Sequence, residues 1–536
     1  MLKRFFNQSS SSITSAAIII GAAAFTSRLL GIVRDRILAG QFGAGTTLDV
    51  YYAAFRIPDL VYNFIVLGAL SAGFIPVFIR VWKKSESEAW RLASGVLNIL
   101  IISLLVISGV LFVFAPQLTA LITPGFSPDA QALTSSLTRI MFLSPLLLGI
   151  SAIWGGILQS LKKFFVFSLA PVLYNIGIMI GALWFVPRLG VAGLAWGVVL
   201  GAGLHMIIQL PAVITSGFRY HWDWRVRGTG VGEIIVLMVP RTLGLVVSQL
   251  NIVVMTMIAS TLTIGSVAVF NFANNLQSFI LGIFGISFAI AAFPALSSAA
   301  DHADPREFIK HFSQTARQIL FFVIPLSTLF LLLRAQITRV VLGSGAFDWA
   351  DTIATADTLA FFVLSLFAQG LIPLLVRGFF AQKNTATPFI IGLLSAGVNI
   401  AAAIWLAPLL GVAGLALAFS IGSVVNLILL WVTLRMKVGS LDEAVIVWST
   451  AKISLATFAM ALVIQGLKFV VEPVTGTTTF WGIFSQGLVA GLVGLAVFTV
   501  VSVAVKSDEM MTFLSAFGRK FFRRNKATVE QLENDL

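Results

Sequence analysis

The sequence predicts an all-α polytopic membrane protein of about 14 transmembrane helices, arranged as two pseudo-symmetric six-helix lobes plus two C-terminal helices. Three observations carry this. Of the 536 residues, 58% are hydrophobic and only 11% charged, with a mean hydropathy of +0.98, which leaves too little polar surface for a water-soluble globule. Apolar runs of about twenty residues recur from Ile13 to Val505, each long enough to cross a bilayer core of roughly 30 Å as a helix. Stretches such as Leu97 to Phe114 and Ile319 to Leu333 are apolar on every side, whereas a barrel strand would alternate.

Cutting at polar or Pro/Gly breaks places the spans near 13–40, 47–80, 92–115, 131–160, 166–186, 191–214, 232–260, 264–298, 308–333, 352–381, 388–407, 411–434, 446–470 and 480–505. Lys3 and Arg4 before the first apolar run resemble a secretory signal, but the run continues through Arg28 to Gly40 without a polar mature start and reads as the first span. Alternate loops carry Arg80/Lys83/Lys84/Arg91, Lys162/Lys163, Arg219/Arg225/Arg227, Arg306/Lys310/Arg317, Lys383 and Arg435/Lys437, while the opposite loops hold Arg188, Arg334, Arg339 and Lys468. By the positive-inside rule both termini face the cytoplasm, and the net charge of +13 is a topology signal rather than a nucleic-acid footprint.

An internal repeat sets the lobes. Trp184-Phe-Val-Pro-Arg-Leu-Gly-Val-Ala-Gly-Leu-Ala195 recurs as Trp405-Leu-Ala-Pro-Leu-Leu-Gly-Val-Ala-Gly-Leu-Ala416, an offset of 405 − 184 = 221 that Lys162 and Lys383 share. Six spans separate the copies, so the halves have the same orientation. The expected division is 1–215 for the N-lobe (spans 1–6), 216–440 for the C-lobe (spans 7–12) and 441–536 for the C-terminal pair and a basic tail, which suits anionic headgroups.

The absence of cysteine excludes disulfides and thiolate chemistry, and no loop is large enough for a soluble catalytic domain. His205, His221, His302 and His311 are scattered and read as structural, so neither a metal nor a cofactor is expected. Ionisable residues inside spans are costly and are therefore the functional candidates. The first span carries Arg28, Arg34, Asp35 and Arg36, with Arg28 and Asp35 on one helix face. In the second, Asp49, Tyr52, Arg56 and Asn63 draw a polar stripe. The seventh contributes Arg241 with Ser248, and a parallel ladder of Thr242, Gln249 and Thr256; the eighth adds Asn271, Asn274, Asn275 and Ser278. Polar stripes on the opening helices of both lobes predict a hydrated cavity between them, richer in cations on the N-terminal side and suited to phosphate oxygens. Arg34 and Arg36 equally suit snorkelling to an interface, and Arg28–Asp35 a structural ion pair.

Ser27-Arg-Leu-Leu-Gly-Ile-Val-Arg-Asp35, Phe42-Gly-Ala-Gly45, Asp49, Phe55-Arg-Ile-Pro58 and Gly68-Ala-Leu-Ser-Ala-Gly-Phe-Ile-Pro76 together resemble the opening of the MurJ (MviN) lipid II flippases, and Gly378 to Pro388 extends the likeness. The resemblance implies the multidrug/oligosaccharidyl-lipid/polysaccharide exporter fold, a bacterial cytoplasmic membrane location, and alternating-access movement of undecaprenyl-pyrophosphate-linked peptidoglycan precursor. Its partners would be lipid II, membrane lipids and other cell-wall synthesis proteins. It further implies that Arg28 and Arg34 lie in the central cavity, that Asp35 and Asp49 fill family acidic positions and that Arg56 fills a basic one.

The chain departs from that pattern at Tyr62 and Asn63, where relatives have paired arginines, at Leu67 in place of an acidic residue, and at Asn274-Asn275 in place of an Asp-Arg pair. Arg241 is the candidate to supply a missing cation. Rival expectations are a same-fold exporter of other lipid-linked saccharides or drugs, a membrane glycosyltransferase using Asp348, Asp351 or Asp357, and a non-transporting cell-wall scaffold.

Overall fold

The computed structural model describes residues 13–67, 73–222, 230–302, 304–476 and 479–515. These residues are helical throughout, with no strand among them. Ten of the described helices are long and apolar enough to cross a membrane, and eleven if Trp349–Val363 and Leu366–Ala381, bent by 47°, form one span. The other three expected spans differ in kind. Ile13–Phe42 and Val231–Ser260 are 30-residue helices at the positions of the first and seventh, with some side chains outside the described residues. The second is broken into Thr46–Ala54, Arg56–Val61, a π-helical turn over Tyr62–Leu67 and Ile75–Trp82.

Local chemistry fixes several helix starts. Ser85 accepts from the Glu88 amide, Ser127 from Ala130 and Asp304 from Arg306 and Glu307, and Pro128 and Pro305 occupy first turns where no amide partner is needed.

Packing divides the chain into two units, Met1–Phe272 with Val341–Ala354 and Ile400–Leu415, and Ala273–Val340 with Thr355–Asn399 and Ala416–Leu536. In the first unit Phe164–Ile180 lies between Ile13–Phe42 and Ala192–Ile207. Gly177 and Gly181 face Gly193, Gly197 and Gly201 so closely that a Cβ on Gly181 would sit 2.4 Å from the Gly197 Cα. Backbone contact of this kind replaces the hydrophobic drive that lipid cannot supply. Buried Phe74, Phe78 and Trp90 and half-buried Trp82 form an aromatic column, with Trp82 and Trp90 edge to face at 4.8 Å.

In the second unit Glu443–Thr475 and Phe480–Ala504 pack along each other, and Glu443–Thr475 also lies against Pro305–Leu332 around Phe321, Met460, Ile464 and Phe498. Arg317 reaches Glu509 at 2.8 Å, and that carboxylate also accepts from Ser449 and Ser507.

The repeat is written in the backbone. Lys162 and Lys383 are both left-handed, at φ 59° and 58°, as are Gly190 and Gly411, at 60° and 61°. Both pairs keep the 221-residue offset, and the helix pairs Pro128–Met141/Leu143–Ser160 and Trp349–Val363/Leu366–Ala381 begin and end at that offset too. A non-glycine αL residue costs about 1 kcal/mol or more, so chance recurrence at matched positions is disfavoured.

Gly181→Val is expected to lower stability by at least about 1–3 kcal/mol by forcing two backbones apart. Thermal unfolding in detergent reads this, and an unchanged midpoint would mean that the helix pair tolerates separation.

Candidate functional site

The polar residues of the first unit gather around the broken second span. Arg34 donates from Nε and Nη2 to Asp35 Oδ1 at 3.0 and 2.8 Å, and from Nη1 to Asn175 Oδ1 at 3.0 Å. Asn175 is held in turn by Pro171 O at 3.1 Å and Ser27 O at 3.3 Å. The carboxylate that the spacing pairs with Arg28 is thus engaged by its chain neighbour, Arg34. Arg28 lies half-buried nearly two turns earlier on the same helix. Arg36 donates to Val341 O at 3.2 Å, near the end of the short helix Arg334–Leu342 that follows the ninth span.

Arg56 is held differently. Its Nε donates to Thr256 Oγ1 at 2.7 Å and its Nη2 to Asn271 Oδ1 at 2.8 Å, joining the second span to the seventh and eighth. Both acceptors are oriented by their own helices, Thr256 through Ile252 O and Asn271 through Val267 O. No carboxylate lies within 4.0 Å of this guanidinium among the described residues.

Asp49 is buried and accepts from the amides of Gly265 at 2.6 Å and Ala268 at 2.8 Å. It caps the start of Ser266–Ile280, where free amides and the helix dipole favour an anion. Around it, loops from four spans meet. Ala44 N donates to Asp351 Oδ2 at 2.9 Å and Ala346 N to Gly40 O at 2.8 Å. A Cβ on Gly265 would lie 2.0 Å from Ala44 O, and one on Gly125 2.2 Å from Ser260 O. This end is therefore closed by backbone against backbone, with a carboxylate beneath it.

Asp59, not singled out from the sequence, lies on the next turn from Arg56, an i, i+3 spacing that would have revealed it. Arg241 falls in the helix Val231–Ser260, but its side chain lies outside the described residues. Asn274, Asn275 and Ser278 belong to the second unit, where Asn275 is exposed and Ser278 bonds back to Asn274 O at 2.7 Å. There a buried chain also went unread. Gln277 donates to Asn274 at 3.1 Å and accepts from Gln369 at 3.0 Å; Gln369 reaches Ser365 at 2.9 Å, and Ser365 meets Ser420 at 2.8 Å. Gln277 and Ser365 stand at the repeat offset from Arg56 and Ser144, so a neutral amide occupies the guanidinium's place in the second copy.

The acidic residues proposed for glycosyl transfer have structural partners: Asp351 holds Ala44, Asp348 caps the Asp351 amide at 2.9 Å, and Asp357 meets Arg334 at 3.6 Å. No metal-binding cluster of His, Cys, Asp or Glu exists among the described residues.

A family model described as Lipid II flippase MurJ matches residues 38–484. A Vibrio cholerae protein named a probable lipid II flippase MurJ is 30% identical over 505 residues, covering 91% of this chain and 95% of its own. The lipid II flippase MurJ of Burkholderia cenocepacia is 29% identical over 426 residues, 78% and 83% of the two chains. Among solved structures, a lipid II flippase MurJ in an inward closed conformation superposes with a TM-score of 0.76 at 26% identity, covering 92% of this chain and 99% of that one. An inward-facing MATE family multidrug transporter shares the fold, with a TM-score of 0.64 at 15% identity over 80% of this chain and 99% of that one.

Asp49→Asn turns one of two acceptors into a donor facing backbone amides and is expected to cost about 1–3 kcal/mol. In this cysteine-free chain, a cysteine at buried Ala268 should then react faster with a water-soluble maleimide. Unchanged stability and reactivity would show that the two amides find other acceptors.

Proposed function

Because the chain belongs to the MurJ family of lipid II flippases, we propose that it moves its substrate by closing and opening the loop end tied by Asp49, with the cations of the second and first spans drawing in the pyrophosphate. The chain is a multi-pass membrane transporter of lipid II, not an enzyme. The work required is to carry an anionic, sugar-bearing headgroup past hydrocarbon while the lipid tail stays in the bilayer, and no covalent step is needed.

The observation that carries the site reading is Arg56. Its charge is held at membrane depth by a hydroxyl and an amide alone, so a diphosphate offers it a stronger partner than either. Substrate arriving at Arg56 would compete with Thr256 and Asn271 and so loosen the tie between spans. Binding energy is thereby coupled to conformational change, as a population shift demands. Arg34 is oriented by Asp35 and Asn175, and Arg28 follows along the same helix toward its start. Asp35 and Asp49 act by holding Arg34 and the closed end, respectively. Arg241 is proposed to replace a cation that this chain lacks at Tyr62, Asn63 and Asn275, and Asn274, Asn275 and Ser278 to offer uncharged polar contacts to the headgroup.

The loop charges support a cytoplasmic placement of both termini, which puts the Asp49 end outside. In that orientation the tied end would serve as the outer gate.

Lipid II translocation in reconstituted vesicles tests the reading. Arg56→Ala should reduce transport by at least about tenfold, the cost of one charge-assisted contact, while Arg56→Lys retains part of it. Arg241→Ala should abolish complementation of a flippase-depleted strain. Full transport by Arg56→Ala would remove that residue from substrate binding, and normal growth would do the same for Arg241.

A further inference from the structure

Asp59 stands on the next turn from Arg56 on the second span. Helical rise puts it about 20 Å into the second span from Thr46. It is half-buried, and its carboxylate accepts no hydrogen bond and makes no ion pair within 4.0 Å among the described residues. The groups facing it are Arg56 and Tyr62 on its own span, Tyr51 on the preceding helix, and Tyr174 with Ser144 from the fifth and fourth spans; the Arg34–Asp35 pair stands behind these tyrosines.

A cavity of about 10 Å³ opens beside it, lined by Phe55, Pro58, Tyr62, Met141, Ser144 and Pro145. The second and fourth spans both break here, at Phe55 and at Phe142, and Pro58 and Pro145 withhold the amides that the carbonyls of Ala54 and Met141 would otherwise accept. The volume is at the limit for one water and too small for a hydrated metal ion.

The placement of Arg56 is informative. A guanidinium at membrane depth with a carboxylate on the next turn of its own helix would ordinarily pair with it, yet Arg56 turns to a hydroxyl and an amide. An ionised carboxylate without a partner at this depth is costly, whereas a protonated one is an ordinary polar group.

We infer that Asp59 is a proton-binding site whose charge decides where Arg56 points: protonated, it leaves Arg56 bound to Thr256 and Asn271 and the tied end closed; ionised, it draws Arg56 back and releases that end. One proton is taken up at the Asp59 carboxylate on closing and returned through the adjoining cavity on opening. The ligand is the proton, and the site makes the conformational cycle of this flippase sensitive to pH independently of substrate.

The inference rests on the gate reading above, and its test uses no lipid II, so that failure of one is distinguishable from failure of the other. Gln41 and Trp349, exposed near the tied end, are replaced by cysteine in the cysteine-free chain, spin-labelled in nanodiscs, and their separation is followed by pulsed EPR across about pH 5 to 9, the range in which displaced carboxyl groups titrate. The expected result is a rise in the long-distance population with pH, by up to about tenfold per unit for one linked proton. Asp59→Asn should hold the short distance at every pH, and Asp59→Glu should restore the response. A flat response in the parent, or a pH response that survives Asp59→Asn, overturns the inference. If Asp59→Asn fails to fold, a parent response that Asp59→Glu leaves at the same midpoint does so equally.

Discussion

One carboxylate placed under two backbone amides organises the first unit. Asp49 satisfies the free amides that open Ser266–Ile280, and by doing so it pins the second span to the turn at Gly265. Buried charge at a helix start is stabilising only while the geometry holds, since the same group without its donors would be an unpaired anion at the membrane edge. The glycines around it follow from this. Once the loops are drawn together at hydrogen-bond distance, Gly265, Gly125 and Gly345 cannot carry side chains, because each Cβ would fall within about 2.2 Å of a neighbouring carbonyl oxygen. The closure is dense and short-ranged, the kind of contact that is either made or lost.

Much of this was legible in the chain itself. Helical membrane architecture follows from composition, and the repeat from a twelve-residue echo whose offset is matched by left-handed lysines and glycines. Arg34, Asp49 and Arg56 stand out in the sequence by their cost inside apolar spans. Their partners could not. Arg28 and Asp35 share a face at seven-residue spacing, and the adjacent Arg34 also reaches Asp35 with both Nε and Nη2, a contact that periodicity does not encode. The second span looked continuous because its polar residues are spaced along a helix face and no loop-like polar run interrupts it. Pro58 and the π-helical turn at Tyr62 break it, and hydropathy is blind to both. The side chain of Arg241 and the whole of Gly68 lie outside the described residues.

The two copies of the repeat use one framework for different ends. In the first, the position of Arg56 carries a cation; in the second it carries Gln277, tied into a chain of amides and hydroxyls through Gln369, Ser365 and Ser420. An amide chain of this type is satisfied internally and rigid, whereas a guanidinium held by neutral groups remains attractive to any anion that arrives. The repeat thus places a cation in the first copy where the second holds a neutral amide network.

The ion pair of Arg317 with Glu509 carries a lesson about biogenesis. The two residues are 192 positions apart, and Glu509 follows the last long helix. At a synthesis rate of about 5–20 residues per second, Arg317 leaves the ribosome about 10–40 s before its counter-ion exists. During that interval the guanidinium, half-buried in the finished fold, lacks this partner and has only water and headgroups to satisfy it. The contact that satisfies this charge therefore forms only after the helix Phe480–Ala504 has been made.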